Sequence, residues 1–163
     1  MTTQEQTDMV AQMFPLPDGA KRLQWFVGEW TLSGTLQMGE DTLPISGDWS
    51  MTPAAGGWGV RSHLEGTIEG FGAMLEDDLL GFDQETGLVH LYSLTNTGNV
   101  HDHTGPWRED GDVDLVCEGT QQGQPYREEI ELRCDGDRRF TVRAVERVGG
   151  EVTSVMVATL TRK

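Results

Sequence analysis

The chain has only two cysteines, Cys117 and Cys134, in 163 residues, too few for a disulfide framework. It has 12 basic residues against 27 acidic ones, a formal charge of −15. It therefore lacks the positive surface with which proteins release counterions from a phosphate backbone or meet an anionic bilayer. No apolar run approaches the ~20 residues that a membrane-spanning helix needs. Residues 1–10 have neither the basic segment nor the apolar stretch of a secretory leader. With so little cysteine, that points to a reducing, cytoplasmic setting. A nucleophile elbow, a P-loop, a dinucleotide fingerprint and closely spaced zinc-ribbon cysteines are all missing. Nucleic acid and membrane are thus not expected partners, and no recognised catalytic motif stands out.

What the chain does have is glycine, 21 residues of it, and a period-two alternation that restarts after each glycine or acidic turn. Residues 1–17 read as a mobile N-terminal arm with a short helical stretch through Met9 and Met13. Asp18 is placed to cap a short helix through Lys21, Leu23, Phe26 and Val27, stopped by Gly28. From there Trp30, Leu32, Gly34, Leu36 and Met38 alternate with polar residues. Leu43, Ile45, Gly47, Trp49 and Met51 follow the turn Gly39-Glu40-Asp41. Trp58, Val60, Ser62, Leu64 and Ile68 share one face of a third strand. Residues 71–78 fit a loop, a short helix or an irregular edge. Alternation resumes over 79–83 and 88–95, joined by Gln84-Glu85-Thr86-Gly87, and then over 99–107, 113–119, 125–134, 138–148 and 151–161. The total is about ten strands in sequence-adjacent hairpins with no helical crossover. Such a meander closes most easily into an up-and-down antiparallel barrel, because closure removes exposed edges. The expected architecture is all-β, with residues 18–163 forming a single barrel domain.

One local pattern is more specific. Gly28-Glu29-Trp30 follows the short helix and opens the first long strand, while Arg162 ends the last. This resembles the signature of the calycins, the lipocalins and their fatty-acid-binding relatives. In that group a G-x-W tryptophan packs across the closed barrel end beneath a basic residue from a late strand. The resemblance implies that Trp30 and Arg162 form a structural barrel-end pair rather than ligand contacts. More closely, three segments resemble a bacterial domain-of-unknown-function family, DUF1579, with a calycin-like barrel. They are Leu23-Gln24-Trp25-Phe26-Val27-Gly28-Glu29-Trp30, Ala54-Ala55-Gly56-Gly57 and Leu80-Gly81-Phe82-Asp83-Gln84-Glu85-Thr86-Gly87, followed by the terminal Leu160-Thr161-Arg162-Lys163. That family carries no established activity, so the resemblance implies a fold and no reaction. Nitrobindin-like haem barrels also open with G-x-W. Their first strand then continues with closely spaced glycines and Tyr-Pro, whereas Gly28 to Gly34 here keep the opening alone.

Strand parity offers a cavity lining, since alternate residues face inward. The apolar inward set includes Ile45, Trp49, Trp58, Leu64, Tyr92, Ile130, Phe140, Met156 and Leu160; Ser62, His90, Glu128, Glu146 and Ser154 share those faces. An apolar vessel with a few polar groups is the usual chemistry of a small-molecule site. The plainer alternative is that these side chains fill the barrel. Trp49, Trp58, Tyr92 and Met156 are expected to give contact area, and His90, His101 and His103 to orient a polar group. The segment 54–57 is expected to shape the barrel mouth. His101-Asp102-His103 places two imidazoles on one strand face. With His90 from the preceding strand they could supply three nitrogen ligands to a divalent metal, or one of them a haem ligand. The bland counterpart is a polar strand whose histidines meet water or carboxylates, and no cofactor is assigned. Glu128 and Glu146 share inward parity, although Arg127 and Glu129 beside Glu128 favour ordinary surface pairing. The leading expectation is non-covalent binding of a small, partly apolar molecule. A metal- or histidine-dependent enzyme in the same cavity is the alternative. A third reading is a structural homo-oligomer, pairing through an edge strand or residues 71–79.

Overall fold

Turn residues recurring every eight to fourteen positions leave the chain little choice but hairpins. The computed structural model describes residues 2–163. Its ten strands are β1 (Gly28–Met38), β2 (Asp41–Ala54), β3 (Gly59–Ile68), β4 (Gly72–Asp83), β5 (Leu88–Thr95), β6 (Val100–Pro106), β7 (Val113–Gln121), β8 (Gln124–Asp135), β9 (Arg139–Val148) and β10 (Glu151–Arg162). They form a closed antiparallel barrel in which each strand pairs with its sequence neighbours. β1 completes the circle by pairing with β10 from Trp30↔Arg162 to Gln37↔Val155. The terminal strands satisfy each other's ladder groups, so neither β1 nor β10 offers a free edge. Among the described residues no helix is long and apolar enough to cross a membrane.

The barrel is regular except at one seam. β6 and β7 share the single ladder pair Thr104↔Val116, with a bridge Trp107↔Val113 beyond it. Gly105 marks the cause, because a Cβ there would overlap the Asp114 carbonyl oxygen. The two backbones cross too closely at that point to run side by side. A second irregularity, a register shift between Val152 and Ser154 in β10, lies ahead of the inward residues Met156 and Leu160 and leaves their parity intact.

Of the segment 71–78, ambiguous in sequence, residues 72–78 are the regular first half of β4 and Phe71 ends the turn before it. Its side-chain pattern is reversed from the usual one. Asp78 is buried and Glu76 partly buried, whereas Leu75 and Leu79 are exposed.

At the N-terminus, α1 (Thr3–Met13) opens with a reciprocal capping box. Thr2 Oγ1 accepts from the Glu5 amide at 3.2 Å, and Glu5 Oε2 accepts from the Thr2 amide at 2.6 Å. α2 (Asp18–Leu23) is shorter than the sequence suggests and tightens into a 3-10 turn over Gln24–Phe26. Its N-cap is Pro17, not Asp18, which is the first helical residue and pairs with Lys21 Nζ at 3.0 Å. The tighter turn lets Leu23 and Phe26 both enter the core, where they are fully buried or nearly so.

This helix closes one end of the barrel. Trp30 is wholly buried there, its ring centroid 4.9 Å from Phe140 and 5.4 Å from Trp25. The Arg162 guanidinium lies 4.2 Å from the Trp30 ring centroid. It donates to the carbonyls of Val27 at 2.6 Å and Trp25 at 2.7 Å, while Trp30 Nε1 donates to Phe26 at 2.7 Å. Three consecutive carbonyls that leave the 3-10 turn without helical partners are thereby satisfied. The glycine-rich segment 54–57 also sits at this closed end, held by Gln24 Nε2 to the Gly57 carbonyl at 2.9 Å. The expectation that it shapes the mouth is corrected, since an odd number of strand reversals puts it opposite the turns at 39–40 and 69–71.

Candidate functional site

Inward parity on six strands brings an unusual polar group into the barrel. β3 contributes Ser62, β4 Glu76 and Asp78, β6 His101 and His103, β7 Cys117, β8 Tyr126 and Glu128, and β9 Glu146. Ser62, Asp78 and His103 are among the buried polar residues, each 5% exposed or less. The floor half of the barrel is apolar, so the interior is divided into an oily half and a titratable half.

Glu128 Oε2 is the hub of the titratable half. It faces His103 Nε2 at 2.8 Å, His101 Nδ1 at 3.1 Å and the Tyr126 hydroxyl, which donates to it, at 2.9 Å. Burial alone would raise the Glu128 carboxyl, but hydrogen bonds and charge from His103, Tyr126 and His101 outweigh it and hold it below its ordinary value. The same burial, together with the Glu128 charge, pushes the Tyr126 phenol far up, so that it stays a donor. The other ring nitrogen of His103, Nδ1, faces the Leu91 carbonyl at 3.4 Å. Both nitrogens of one buried imidazole therefore point at oxygen acceptors. Glu146, paired with Glu128 in the β8–β9 register, accepts from Ser154 Oγ at 2.8 Å. Arg127 and Glu129 pair with each other on the outside at 3.0 Å. Surface pairing of Glu128 is thus corrected: strand alternation turns it inward and its two neighbours outward.

A second acidic group lies on β4. Glu76 is raised well above its ordinary value, first by burial and then by the charge of Asp78 two residues along the same face. Asp78 is also raised by burial, although hydrogen bonds from Ser62 and Glu76 oppose the shift. Asp78 Oδ1 has no hydrogen-bond partner among the described residues, and neither does the buried Trp49 Nε1. Each such orphan costs ~1–3 kcal/mol unless something fills its position.

The two halves meet at an enclosed cavity of about 80 Å³. Its wall includes Trp49, Met51, Leu80, Leu91, Ile130 and Met156, with Glu76 and Glu128 as its acidic members. The space suits a very compact molecule or a few waters and falls short of the ~300–1,000 Å³ of a drug-sized site. Larger grooves lie on the outside. One of about 480 Å³ runs over Trp107 and Cys134 at the closed end, and one of about 410 Å³ lies between α1 and Trp58. A third, of about 440 Å³, follows the β6–β7 seam past His101, Cys117 and Tyr126.

Of the residues singled out in the sequence, the structure places Trp49, Met156, His101 and His103 inside the barrel. His90 and Tyr92 are corrected to the outer face. His90 pairs there with Asp102 at 3.2 Å, and Tyr92 is 51% exposed. Leu88 to Thr95 has apolar residues on both parities, and the β4–β5 register, with Leu80↔Leu91 and Asp78↔Ser93, selects the other one. Trp58 is corrected too. It has helical φ and ψ at the end of the 3-10 turn before β3, so it leaves the strand alternation and faces α1. Sequence reasoning missed Cys117, Glu76 and Asp78. Cys117 was legible, as it alternates with Val113 and Leu115, whereas the two carboxylates lie in the segment whose pattern is reversed.

No family model and no curated protein matches the sequence. Solved structures do. The chain is similar to Rv2717c from M. tuberculosis, with TM-score 0.67, 13% identity, and coverage of 91% of this chain and 99% of that one. It is also similar to the S-type phycobiliprotein lyase CPES from Guillardia theta, with TM-score 0.59, 14% identity, and coverage of 86% and 90%. A redesigned β-barrel, mFAP0, bound to DFHBI, matches with TM-score 0.51, 14% identity, and coverage of 85% and 100%. At these identities the likeness is one of fold.

Proposed function

We propose that the barrel binds a compact, partly apolar molecule non-covalently in its interior. The observation that carries this reading is the cavity itself, an enclosed space whose wall is apolar apart from Glu76 and Glu128. A ligand with an apolar body and a donor or a positive charge for Glu76 and Glu128 would match that wall. The fold likeness supports the reading in kind, since a phycobiliprotein lyase and a dye-bound designed barrel share the architecture. We place the chain with the calycin-like DUF1579 barrels on the Gly28-Glu29-Trp30 opening and the Leu80 to Gly87 hairpin. A cytoplasmic setting accords with two unpaired thiols, and the net charge of −15 argues against a nucleic-acid partner.

The test pairs native mass spectrometry of untagged protein with titration of benzene-sized probes followed by NMR. Phenol should bind more tightly than benzene, and benzoate should be rejected by the acidic wall. An Ala144→Phe variant, which fills the cavity, should remain folded and lose both the probe and any copurifying mass. If phenol, benzene and benzoate all fail to shift a single interior resonance, and the native mass is that of the bare chain, the pocket is a filled core.

A further inference from the structure

We infer that His101, His103 and Cys117, with Glu128 as the fourth ligand, form a binding site for a zinc-class divalent cation at the β6–β7 seam. A ring nitrogen of each histidine and Cys117 Sγ lie within 4.8 Å of one another. His101 Nδ1 and His103 Nε2 already converge on Glu128 Oε2 at 3.1 and 2.8 Å. Glu128 faces Cys117 in the β7–β8 register and adjoins the trio, and two nitrogens, one sulfur and one oxygen are a donor set that zinc takes in tetrahedral geometry.

Three further observations converge on the same place. The ring of His103 is oriented by its Nδ1 facing the Leu91 carbonyl at 3.4 Å, which leaves Nε2 for the metal, the support a ligating histidine usually has. The charges also balance. One thiolate and one carboxylate neutralise a divalent ion, so a buried centre forms without stranding net charge. Finally, there is an entry path. The β6–β7 ladder stops at Thr104↔Val116, and the groove of about 440 Å³ along the seam reaches His101 and Cys117 from outside. Binding would send the thiol proton to solvent and leave all four donors on the ion. The site is separate from the proposed apolar cavity except for Glu128, and it stands whether or not that cavity takes a ligand.

The test is titration with Co²⁺ alone as a spectroscopic stand-in, followed by competition with Zn²⁺. One equivalent should produce a thiolate-to-cobalt charge-transfer band and the intense visible bands of a tetrahedral ion, both abolished by zinc. Cys117→Ser should keep its far-ultraviolet dichroism and its affinity for phenol, and lose the charge-transfer band. His103→Ala and His101→Ala should each weaken binding by at least the ~10–100-fold that loss of a supporting partner costs. His90→Ala, on the outer face, should change nothing. Cobalt that binds without a thiolate band, binds folded Cys117→Ser as well as the wild type, or depends on His90 would overturn the assignment.

Discussion

Replacing Arg162 with methionine removes the guanidinium and keeps an aliphatic stem over Trp30, which isolates the polar contribution to the barrel floor. Two short charged hydrogen bonds are lost, to Val27 at 2.6 Å and Trp25 at 2.7 Å, each worth ~1.5–3 kcal/mol in a sheltered place. Arg162 is only partly buried, so water can recover part of this, and about half, ~1.5–3 kcal/mol, is the reasonable share. The stack on Trp30 at 4.2 Å adds ~0.5–2 kcal/mol. The sum is about 2–5 kcal/mol, a large fraction of the ~5–15 kcal/mol that holds a domain together. With a urea dependence of ~2 kcal/mol/M, the midpoint of unfolding should fall by about 1–2.5 M. Tryptophan fluorescence and far-ultraviolet dichroism should report it together. Arg162→Lys, which keeps the charge but cannot fork between two carbonyls, should lose about half as much. In a Trp30→Phe background the same Arg162→Met change should cost about 1 kcal/mol less, the coupling of two touching residues. A midpoint shift below ~0.5 M at unchanged urea dependence would refute the reasoning and reduce the pair to surface decoration.

The Glu76 carboxyl is raised in the folded protein, so the native state keeps a proton that the unfolded chain releases above its ordinary value near 4.5. Stability should therefore fall as pH rises from that value through the folded-state titration. Glu76→Gln should flatten the fall in urea midpoint between pH 5 and pH 8, and parallel slopes in the two proteins would sink the assignment. Gly34→Ala should destabilise by ~1–3 kcal/mol or more, because the new Cβ would overlap the Val157 carbonyl. Gly119→Ala, with open space around its Cβ, should be neutral or stabilise by ~0.4–1 kcal/mol; thermal melts that rank the two alike would contradict this. Thr2→Ala should break the capping box and cost α1 ~1 kcal/mol, visible as reduced helical dichroism, while the barrel's urea midpoint stays put.

The fold was legible because hairpins announce themselves locally. Gln84-Glu85-Thr86-Gly87 and Asp135-Gly136-Asp137 each reverse the chain whatever lies across the barrel, so strand number and order follow from turn chemistry alone. Which face of a strand turns inward is a different kind of fact. On β6 parity was readable, because His101 and His103 share a face with buried Gly105; on β8 Ile130 and Leu132 marked the inward face, although the charged neighbours of Glu128 spoke for the surface. On β4 and β5 it was not. There Leu75, Leu79, Tyr92 and Leu94 lie outside, 40–51% exposed, while Glu76, Asp78 and Ser93 lie inside. A rule that sends leucine inward and carboxylates outward inverts both strands, carries His90 into the site and leaves Glu76 and Asp78 out.

That inversion is itself informative. Burying two carboxyls while exposing four large apolar side chains runs against the hydrophobic term on both faces. The neighbouring strands hold it in place, because Leu80↔Leu91 and Val60↔Leu80 can enter the core only if Glu76 and Asp78 come with them. Shifting β4 by one residue would free the carboxyls and bury Leu75 and Leu79, but it would eject Leu80 from the core and take Phe82 from its place against Gly19 of α2. The floor and the polar interior are therefore coupled through β4. The Arg162–Trp30 plug, the Gly19–Phe82 contact and the buried acids stand or fall as one register. If that coupling is real, a Gly19→Val substitution, whose side chain would collide with the Phe82 ring, should loosen the acids as well as the helix. Amide exchange at Glu76 and Asp78 should accelerate alongside exchange at Ala20 and Leu23. Acceleration confined to α2 would show instead that the interior carboxyls are held by strand pairing alone.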